Sequence, residues 1–377
     1  MNDSSLLPPS ADVPIDRLAA IFGNTTNSYK FYWLLSILEC VKDNQLTVIP
    51  IDHLIARMIA NVWYPVHYFK LSFGKQDQIS SIVLSIRSEI LLSADASKSE
   101  IVAAVTQYMK NGSALAKAIS ALKTYVPYRF LRPFFDSQLR GVVDWKVNRL
   151  IWEMAGQAFN DPAAPCLYRY VQTAENGESI EIHQRWLAYL QVNLPIVMGY
   201  CLWNLVGYLQ RNNPNVPNIS GKIFAPERRD LKESRRFWRL ALNALNGVHC
   251  IYSGEILRAG YFSLDHFIPW SFVAHDLMWN IIPTNVAINS AKSAQVPSLQ
   301  AYLNPFVQLQ YNAVQAVAAV GRENLLEDYI LLYKKQSIAE LQSMPVDEFK
   351  QVLYDTIAPQ VQIAKNMGFT VNWSYSA

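Results

Sequence analysis

Apolar side chains recur every three or four residues through much of the first 210 positions, a spacing typical of amphipathic helices. For example, Leu54, Met58 and Val62 share one helical face. The dipeptide Asn111-Gly112 separates two of the apolar segments and favours a helix end. The helices predicted on this basis are residues 28–41, 52–63, 99–109 and 113–125.

A short hairpin interrupts this helical region. Residues 168–172 and 179–182 have strand character and flank Asn176-Gly177, a pair that favours a tight turn. We therefore predict two antiparallel strands joined at that turn.

A long uncharged segment raises the question of a membrane. Residues 186–210 carry no charge over 25 positions, which is long enough to span a bilayer. Polar residues and a proline interrupt it, and no second segment of this kind exists. A helix buried inside a helical domain is the better interpretation, so we expect no membrane partner. The interrupting residues are Gln191, Asn193, Pro195 and Asn204.

Residues 211–220 (RNNPNVPNIS) are rich in Asn and Pro, and we predict a linker at 211–225. The chain then divides into a flexible tail (1–15), a helical recognition or regulatory domain (16–210) and a second domain (226–377). The second domain begins with a helix and continues with strands and turns over residues 248–279. Helices resume at 303–318 and 324–334, so the fold class is mainly α.

Five basic residues of the second domain fall on one side of its first helix, at offsets 0, 4, 7, 8 and 11. They are Arg228, Lys232, Arg235, Arg236 and Arg239. Leu231, Trp238, Leu242 and Leu245 occupy another side. Two interpretations stay open: a face that contacts nucleic-acid phosphate, and a solvated face paired with Glu227, Asp230 and Glu233.

Composition narrows the classes of protein. The chain has 377 residues, of which 51% are hydrophobic and 17% charged, which excludes a disordered or collagen-like chain. The net charge of +3 argues against a histone-like coat for nucleic acid. Four separated cysteines form no CxxC pair, and the N-terminal residues lack the pattern of a signal peptide. A cytoplasmic protein fits best.

The segment that carries chemistry is residues 264–292, LDHFIPWSFVAHDLMWNIIPTNVAINSAK. Thirteen residues separate Asp265-His266 from Asn280, eight more separate Asn280 from Asn289, and Lys292 follows three positions later. A neutral histidine is suited to take a proton from water near neutral pH. A carboxylate and an amide oxygen form an oxygen-only donor set that suits Mg²⁺ or Mn²⁺.

Over about residues 247–297, this segment resembles the HNH nucleases, the His-Me finger or ββα-metal superfamily. Its spacing is similar to that of the HNH domain in RNA-guided CRISPR nucleases. The resemblance implies a ββα module flanked by helices, with His266 as general base and Asn280 as the residue that orients it. It also implies Asp265 and Asn289 as metal ligands, a phosphate contact by Lys292, and Thr284 as cap of the module's helix.

The segment differs from many HNH proteins in lacking the cysteine pairs that bind structural zinc. Many HNH proteins carry two CxxC pairs, whereas Cys250 keeps only the first cysteine of one pair. We therefore expect no zinc and core packing by aromatic side chains in its place. Those side chains are Tyr252, Phe262, Phe267 and Trp270. His249 is expected in the core or on the surface, and His275 in a loop, with a substrate contact as the alternative.

A second Asp-His pair, Asp52-His53, can be compared with Asp265-His266. No asparagine follows that pair at the motif's spacing, and it lies in an apolar helical pattern, so we interpret it as ordinary.

The expected function is a metal-dependent HNH endonuclease that cuts nucleic acid, with DNA as the expected substrate, in bacterial anti-phage defence or restriction. The helical N-terminal region would bind a protein or RNA partner, recognise a target or restrain the nuclease. Two alternatives stay open. One is an HNH-bearing subunit of a larger RNA-guided or ATPase-driven defence complex. The other is a DNA-binding protein with an inactive finger. The sequence has neither a Walker loop nor GxGxxG, so nucleotide hydrolysis is not expected.

Overall fold

The computed structural model describes residues 7–43, 47–93, 95–174, 177–225 and 229–376. The chain separates into two compact units, the first made of Met1–Pro214 and Lys222–Ala225, the second of Asn215–Gly221 and Pro226–Ala377. Helices account for 60% of the structure and the sheets are small, so the predicted mainly α class is confirmed.

The first unit is built on helices, and apolar spacing predicted those at about residues 28–41, 52–63, 99–109 and 113–125. The helices at 15–19, 79–90, 126–130 and 144–158 were not predicted. The helices of this unit are α1 (Ile15–Ala19), α2 (Tyr29–Lys42), α3 (Ile51–His67), α4 (Ile79–Ile90), α5 (Lys98–Tyr108), α6 (Ala114–Ala121), α7 (Val126–Phe130), α8 (Asp144–Ala158), α9 (Gln184–Val192) and α10 (Leu194–Asn212). Helix α2 is buried on nearly every side, because its sequence is apolar all round rather than on one stripe. It packs against α3, α7, α9 and α10 and forms the centre of the unit.

A tertiary contact fixes the start of α2, whereas local sequence signals separate α5 from α6. Asp77 accepts hydrogen bonds at Oδ2 from both the backbone N–H and the hydroxyl of Ser28, at 2.7 and 2.6 Å, just before α2 begins. Ser97 caps α5 through a capping box with Glu100. Gly112 adopts a φ of +71° between α5 and α6, as the predicted helix end requires.

The strands of the first unit form one antiparallel sheet in the order β1 (Val48–Pro50), β3 (Gly177–Ile182), β2 (Tyr168–Thr173). The register pairs Tyr168 with Ile182 and Thr173 with Gly177, so the predicted hairpin is confirmed. Asn176, expected in its turn, lies outside the described residues.

The prediction of a single helix over residues 186–210 is wrong. The segment breaks at Asn193 into α9 and α10, whose axes differ by 84°. Pro195 starts the second helix, where its missing N–H costs nothing. Over the described ranges, no single helix is long and apolar enough to cross a membrane, although α9 and α10 pass that test as a bent pair. Helix α10 extends through Asn212, and the domain limits expected from the sequence stay a prediction.

The second unit surrounds two short hairpins with helices. Its helices are α11 (Lys232–Ala244), α12 (Trp270–Val273), α13 (Val286–Lys292), α14 (Leu299–Ala319), α15 (Glu327–Leu332), α16 (Ile338–Gln342) and α17 (Val346–Asn366). Its strands are β4 (Val248–His249), β5 (Ile256–Leu257), β6 (Ser263–His266) and β7 (Ile281–Thr284). The helix expected at 324–334 is interrupted: a 3₁₀ turn at Glu323–Leu325 precedes α15, and the consecutive residues Leu325 and Leu326 are both buried at the break.

Buried polar side chains attach the helices of this unit to β7. Trp238 on α11 donates its indole N–H to the Ile281 carbonyl at 3.0 Å. Gln310 on α14 donates to the carbonyls of Trp279 and Ile281, and Tyr329 donates to Gln310 Oε1 at 2.5 Å. The strand that closes the hairpin is therefore held by two helices as well as by its partner strand.

Candidate active site

The candidate site is a hairpin followed at once by a helix. Strand β6 pairs antiparallel with β7, with Asp265 opposite Ile282 and His266 opposite Ile281. Helix α13 begins two residues after β7 and packs against β6. Both strands are almost wholly buried, because side chains cover each face. This is the ββα arrangement that the resemblance implied.

Asn280 fixes the chain immediately after His266. Its Oδ1 accepts a hydrogen bond from the Ile268 N–H at 2.8 Å, and its Nδ2 donates to the Ile268 carbonyl at 2.9 Å. Its own carbonyl accepts from the Phe267 N–H at 2.8 Å. The amide end offers both a donor and an acceptor, so neither an ionised Asp nor a Leu at this position could make both bonds. Asn280 therefore acts on backbone, in line with the orienting role expected for it.

His266 contacts a carboxylate that the sequence reasoning did not single out. Its Nε2 lies 2.7 Å from Asp276 Oδ1, and its side chain is 6% exposed. An ionised carboxylate only accepts hydrogen bonds, so Nε2 carries the proton in this contact. In the neutral imidazole the lone pair then resides on Nδ1, the nitrogen able to act as a base.

A signal for Asp276 was present in the sequence, since Asp276 lies ten residues after His266 in the loop that joins the two strands. Sequence reasoning examined its neighbour His275 instead. His275 is a loop residue whose ring lies 5.4 Å from that of Trp279, and its Nδ1 accepts from the Leu277 N–H. Both neighbours are polar loop residues, and only the path of the loop brings Asp276 rather than His275 to His266.

Asp265 is buried and bonded at both oxygens. Lys292 on α13 donates to Oδ1 at 2.9 Å, and the Tyr252 hydroxyl donates to Oδ2 at 2.8 Å. The two side chains of the ion pair are 0% and 3% exposed. Burial, and next to it the charge of Asp265, raise the pKa of Tyr252 well above its usual value, so the phenol stays a donor.

The position of Lys292 differs from the phosphate contact expected for it. Its ammonium is fully buried, and it also donates to the His266 carbonyl at 2.7 Å. Position 292 lies one turn beyond Asn289 on α13, which places both side chains over β6. In this geometry Lys292 attaches the helix to the strand that bears Asp265 and His266.

Asn289 lies on the same face of α13. Its Nδ2 donates to Ser263 Oγ at 2.9 Å and to the Leu264 carbonyl at 3.0 Å. Its Oδ1 accepts no hydrogen bond from the residues that the structure describes, so this oxygen remains available as a ligand. The helix is capped by Asn285, whose Oδ1 accepts from the Ala287 N–H. The prediction that Thr284 caps this helix is wrong. Thr284 is the last residue of β7 and is fully buried, and its hydroxyl lies 3.4 Å from Cys250 Sγ.

The donor set fits a hard divalent cation. Asp265 offers carboxylate oxygens and Asn289 an amide oxygen, and Mg²⁺ is commonly held by one or two protein oxygens with water completing its shell. Over the described part of the chain, this site included, no group of three or more His, Cys, Asp or Glu side chains is placed to hold a metal ion. The ammonium of Lys292 beside Oδ1 opposes a second cation, so an ion and Lys292 compete for the charge of Asp265.

The aromatic residues expected to replace zinc are mostly core residues. Tyr252, Phe262 and Phe267 are buried, and Phe267 stacks on Phe306 with ring centroids 4.1 Å apart. Trp270 is only half-buried, with the guanidinium of Arg229 over its ring. His249 is exposed, and its Nδ1 contacts the Gly254 carbonyl at 2.8 Å.

The basic residues of α11 lie on its exposed side, opposite Phe237, Trp238 and Leu242 in the core. Arg235 has a structural contact, since it donates to the Phe262 carbonyl and lies over that ring. Lys232 and Arg236 pair with acids on the surface, and Arg239 pairs with none among the described residues. Arg228 lies outside the described residues.

The second Asp-His pair has an ordinary environment. Asp52 and His53 lie in the first turn of α3, where His53 Nε2 accepts from Arg57 at 2.9 Å and Asp52 pairs with Lys123. Burial lowers the pKa of His53.

Residues 250–298 match the family model of HNH endonucleases, so this part of the chain is an HNH domain. A domain of this kind implies nucleic-acid binding and nuclease activity in general, and HNH nucleases generally use a divalent metal ion. No curated protein and no solved structure matches the chain.

The buried ion pair generates a prediction that needs no enzyme assay. Lys292→Met leaves Asp265 buried without its cation, and we expect a loss of about 3–5 kcal/mol in the free energy of unfolding. Mg²⁺ should then raise the melting temperature of the variant more than that of the wild type, because the competing ammonium is gone. Calorimetry with and without Mg²⁺ measures both effects.

The matched control is Lys365→Met, which removes an exposed lysine of α17 and should change stability by less than about 0.5 kcal/mol. The double variant Asp265→Asn with Lys292→Met should recover part of the loss and lose the Mg²⁺ effect. Equal Mg²⁺ shifts in wild type and Lys292→Met would exclude competition between the ammonium and the ion.

Proposed function

We propose that this chain is a metal-dependent endonuclease that hydrolyses phosphodiester bonds of nucleic acid, with DNA as the expected substrate. One observation carries the proposal. His266, whose Nε2 contacts the Asp276 carboxylate at 2.7 Å, follows Asp265 on a strand covered by the Asn289 helix. This arrangement lies within the residues that match HNH endonucleases.

His266 is the general base of the proposed reaction. The neutral form of its imidazole has a lone pair that can take a proton from the attacking water. That proton goes to Nδ1, while the Nε2–H bond to Asp276 keeps the ring in one tautomer and stabilises the imidazolium that forms. Asp276 is thus a positioning residue, and Asn280 fixes the backbone on which the ring stands.

Asp265 and Asn289 are the proposed ligands of the ion, Mg²⁺ or Mn²⁺, with no structural zinc. When bound, such an ion supplies positive charge where negative charge develops on the scissile phosphate. Asp265 is part of β6, and Asn289 is held to that strand through its hydrogen bond to the Leu264 carbonyl. Lys292 keeps the helix in place and neutralises Asp265 before an ion enters.

The exposed face of α11 is the proposed contact for nucleic-acid phosphate, through Lys232, Arg236 and Arg239. Arg235 contributes charge from a position fixed on Phe262. Such contacts determine affinity and orientation, but they do not distinguish one base sequence from another. Sequence discrimination, or control of cutting, is therefore assigned to the helical first unit, in a protein of bacterial anti-phage defence or restriction.

The first test incubates pure protein with plasmid, single-stranded DNA and RNA, each with Mg²⁺, Mn²⁺ or EDTA. Cutting of DNA that EDTA abolishes supports the proposal. Cutting only in the presence of copurifying RNA or protein favours a subunit of an RNA-guided or ATPase-driven complex. Binding without any metal-dependent cutting favours the alternative of an inactive finger. The Lys292–Asp265 pair supports that alternative, because the ammonium already neutralises the carboxylate proposed to bind the ion.

His266→Ala should abolish cleavage and leave nucleic-acid binding nearly unchanged, because the imidazole supplies the base while affinity comes from phosphate contacts. Cleavage is measured by the loss of supercoiled plasmid and binding by fluorescence anisotropy in EDTA. The control His249→Ala changes an exposed histidine of the same unit and should cut at the wild-type rate. A cutting rate near wild type for His266→Ala would remove His266 from the mechanism.

Asp276 is tested by a pair of variants. Asp276→Ala should lower kcat by about 10–100-fold with little change in KM, since a residue that only orients the base acts on the chemical step. Asp276→Asn keeps an oxygen that accepts the Nε2–H bond and should recover part of that loss. The exposed Asp347 provides the control variant, Asp347→Ala. A faster Asp276→Ala variant would mean that the carboxylate restrains His266 instead of positioning it.

The α11 face is tested by salt dependence. Arg236→Ala with Arg239→Ala should reduce the slope of log K against log[salt] by about 0.9 for each duplex phosphate that the variant no longer neutralises, roughly 1.8 in all. Arg322→Ala with Lys365→Ala removes the same charge from exposed positions of the same unit and should leave the slope unchanged. If both double variants behave alike, the α11 arginines belong to a solvated face.

A further inference from the structure

A cavity of about 390 Å³ in the first unit carries more positive charge than its own carboxylates neutralise. It opens between the segment before α2, the start of α7 and the start of α8. Its charged lining residues are Lys30, Arg129, Arg132 and Asp144. Three cations thus face one acid, in a space whose volume is in the range of small-molecule sites.

Arg129 is already neutralised. Its guanidinium contacts both carboxylate oxygens of Asp144, at 2.7 and 3.0 Å, and its Nε donates to Asn148 Oδ1 at 2.6 Å. A bidentate contact of this kind fixes the planar group and uses up the single acid of the cavity. No other acid of the cavity lining neutralises Lys30 or Arg132.

Lys30 is largely buried, and its ammonium donates only to the carbonyls of Ile21 and Asn24, at 3.1 and 3.0 Å. One of its three N–H donors has no partner in the described part of the chain. Burial, followed by repulsion from Arg132 and Arg129, lowers the pKa of Lys30 to about 8. Arg132 is exposed and pairs with no acid among the described residues.

The rest of the lining is polar on one side and aromatic on the other. The segment Asn24, Thr25, Thr26 precedes α2, and the side chains of these three residues make no hydrogen bond to other described residues. Helix α2 points its positive N-terminal end toward this segment. Tyr125, 56% exposed, presents its ring at the edge of the cavity.

A second cavity of the same unit shows that this excess of charge is not general. That cavity, of about 510 Å³, is lined by Lys123 and Arg149. Lys123 pairs there with Asp52 and Glu178, and Arg149 pairs with Glu153, so each cation has its own acid. The first cavity lacks such acids for Lys30 and Arg132.

We propose that the Lys30–Arg132 cavity binds a nucleotide, with its phosphate between Lys30 and Arg132 and its base against Tyr125. A phosphate dianion matches two uncompensated cations, and the hydroxyl and amide groups of residues 24–26 supply further donors to its oxygens. A planar base matches an exposed tyrosine ring, as in single-stranded nucleic-acid sites. The same chemistry is offered by a free nucleotide and by the 5′-phosphorylated end of a strand. The site binds and does not hydrolyse, and it is independent of the nuclease proposal.

Binding is tested with the full chain in EDTA, so that cleavage plays no part. Isothermal titration calorimetry measures AMP, GMP, adenosine, inorganic phosphate and a 5′-phosphorylated tetranucleotide beside its unphosphorylated form. AMP or GMP should bind at least tenfold more tightly than adenosine or phosphate alone. A tetranucleotide that binds more tightly still, and only when phosphorylated, supports the site with a strand end as the source. Equal affinity for AMP and inorganic phosphate, or no saturable binding of any probe, overturns the proposal.

Variants connect the binding to the cavity. Arg132→Ala should weaken AMP binding by about tenfold or more, the usual effect of losing one charged hydrogen bond. Among the described residues the Arg132 side chain makes no hydrogen bond or ion pair that this variant would remove. Lys30→Met should weaken AMP binding similarly, with circular dichroism to check folding because Lys30 bonds two carbonyls. Arg149→Ala, in the second cavity, is the control. Unchanged AMP affinity in Arg132→Ala overturns the proposal even if Lys30→Met does not fold.

The pH dependence provides an independent check. Lys30 binds phosphate as the cation, so raising the pH from 7 to 9, through its pKa of about 8, should lower affinity by up to roughly tenfold. The variant Lys30→Met should lose this dependence, and an identical dependence in the variant would contradict the assignment. The other charged or titratable groups that face Lys30 in the cavity are Arg129, Arg132, Asp144, Tyr29 and Tyr125.

Discussion

The buried ion pair between Lys292 and Asp265 is the interaction on which the HNH domain depends. Lys292 is the last residue of α13 and donates both to the Asp265 carboxylate and to the His266 carbonyl. One ammonium thus holds the helix to the strand at both proposed catalytic positions. A buried charge pair of this kind contributes little net stability, but loss of one partner is costly. The strand and helix are therefore fixed relative to each other before any ion or substrate arrives.

Around that pair, each functional side chain is fixed by a different polar contact. Asn280 completes the backbone hydrogen bonds of Ile268, Tyr252 satisfies the second oxygen of Asp265, and Asp276 selects the tautomer of His266. These contacts are worth most in a dry environment, and the helices α11, α14 and α17 supply it with the surrounding apolar core. A domain without paired cysteines can in this way keep its site rigid through hydrogen bonds and aromatic packing.

The distribution of charge separates two kinds of basic residue in this chain. Lys292, Arg129 and Lys123 are matched with carboxylates and serve the fold. Lys30, Arg132 and Arg239 have no acid among the described residues, and each lines a cavity or an exposed helix face. For Lys30, whose burial disfavours the charged form, an anionic ligand would offset that cost, whereas Arg132 and Arg239 are exposed and solvated.

The sequence alone determined the mainly helical class, several of the helices, the hairpin of the first unit and the order of the chemical residues, since these follow from apolar spacing, turn residues and a motif of fixed separation. The break at Asn193 and the cap at Asn285 were not foreseen, because neighbouring residues offered equally good local signals. The orientation of Lys292 and the partner of His266 were decided by tertiary structure. A lysine after Asn289 suits a phosphate contact as well as a buried pair, and only the packing of α13 on β6 distinguishes them. In the same way, Asp276 reaches His266 through the path of a loop that no residue pattern specifies.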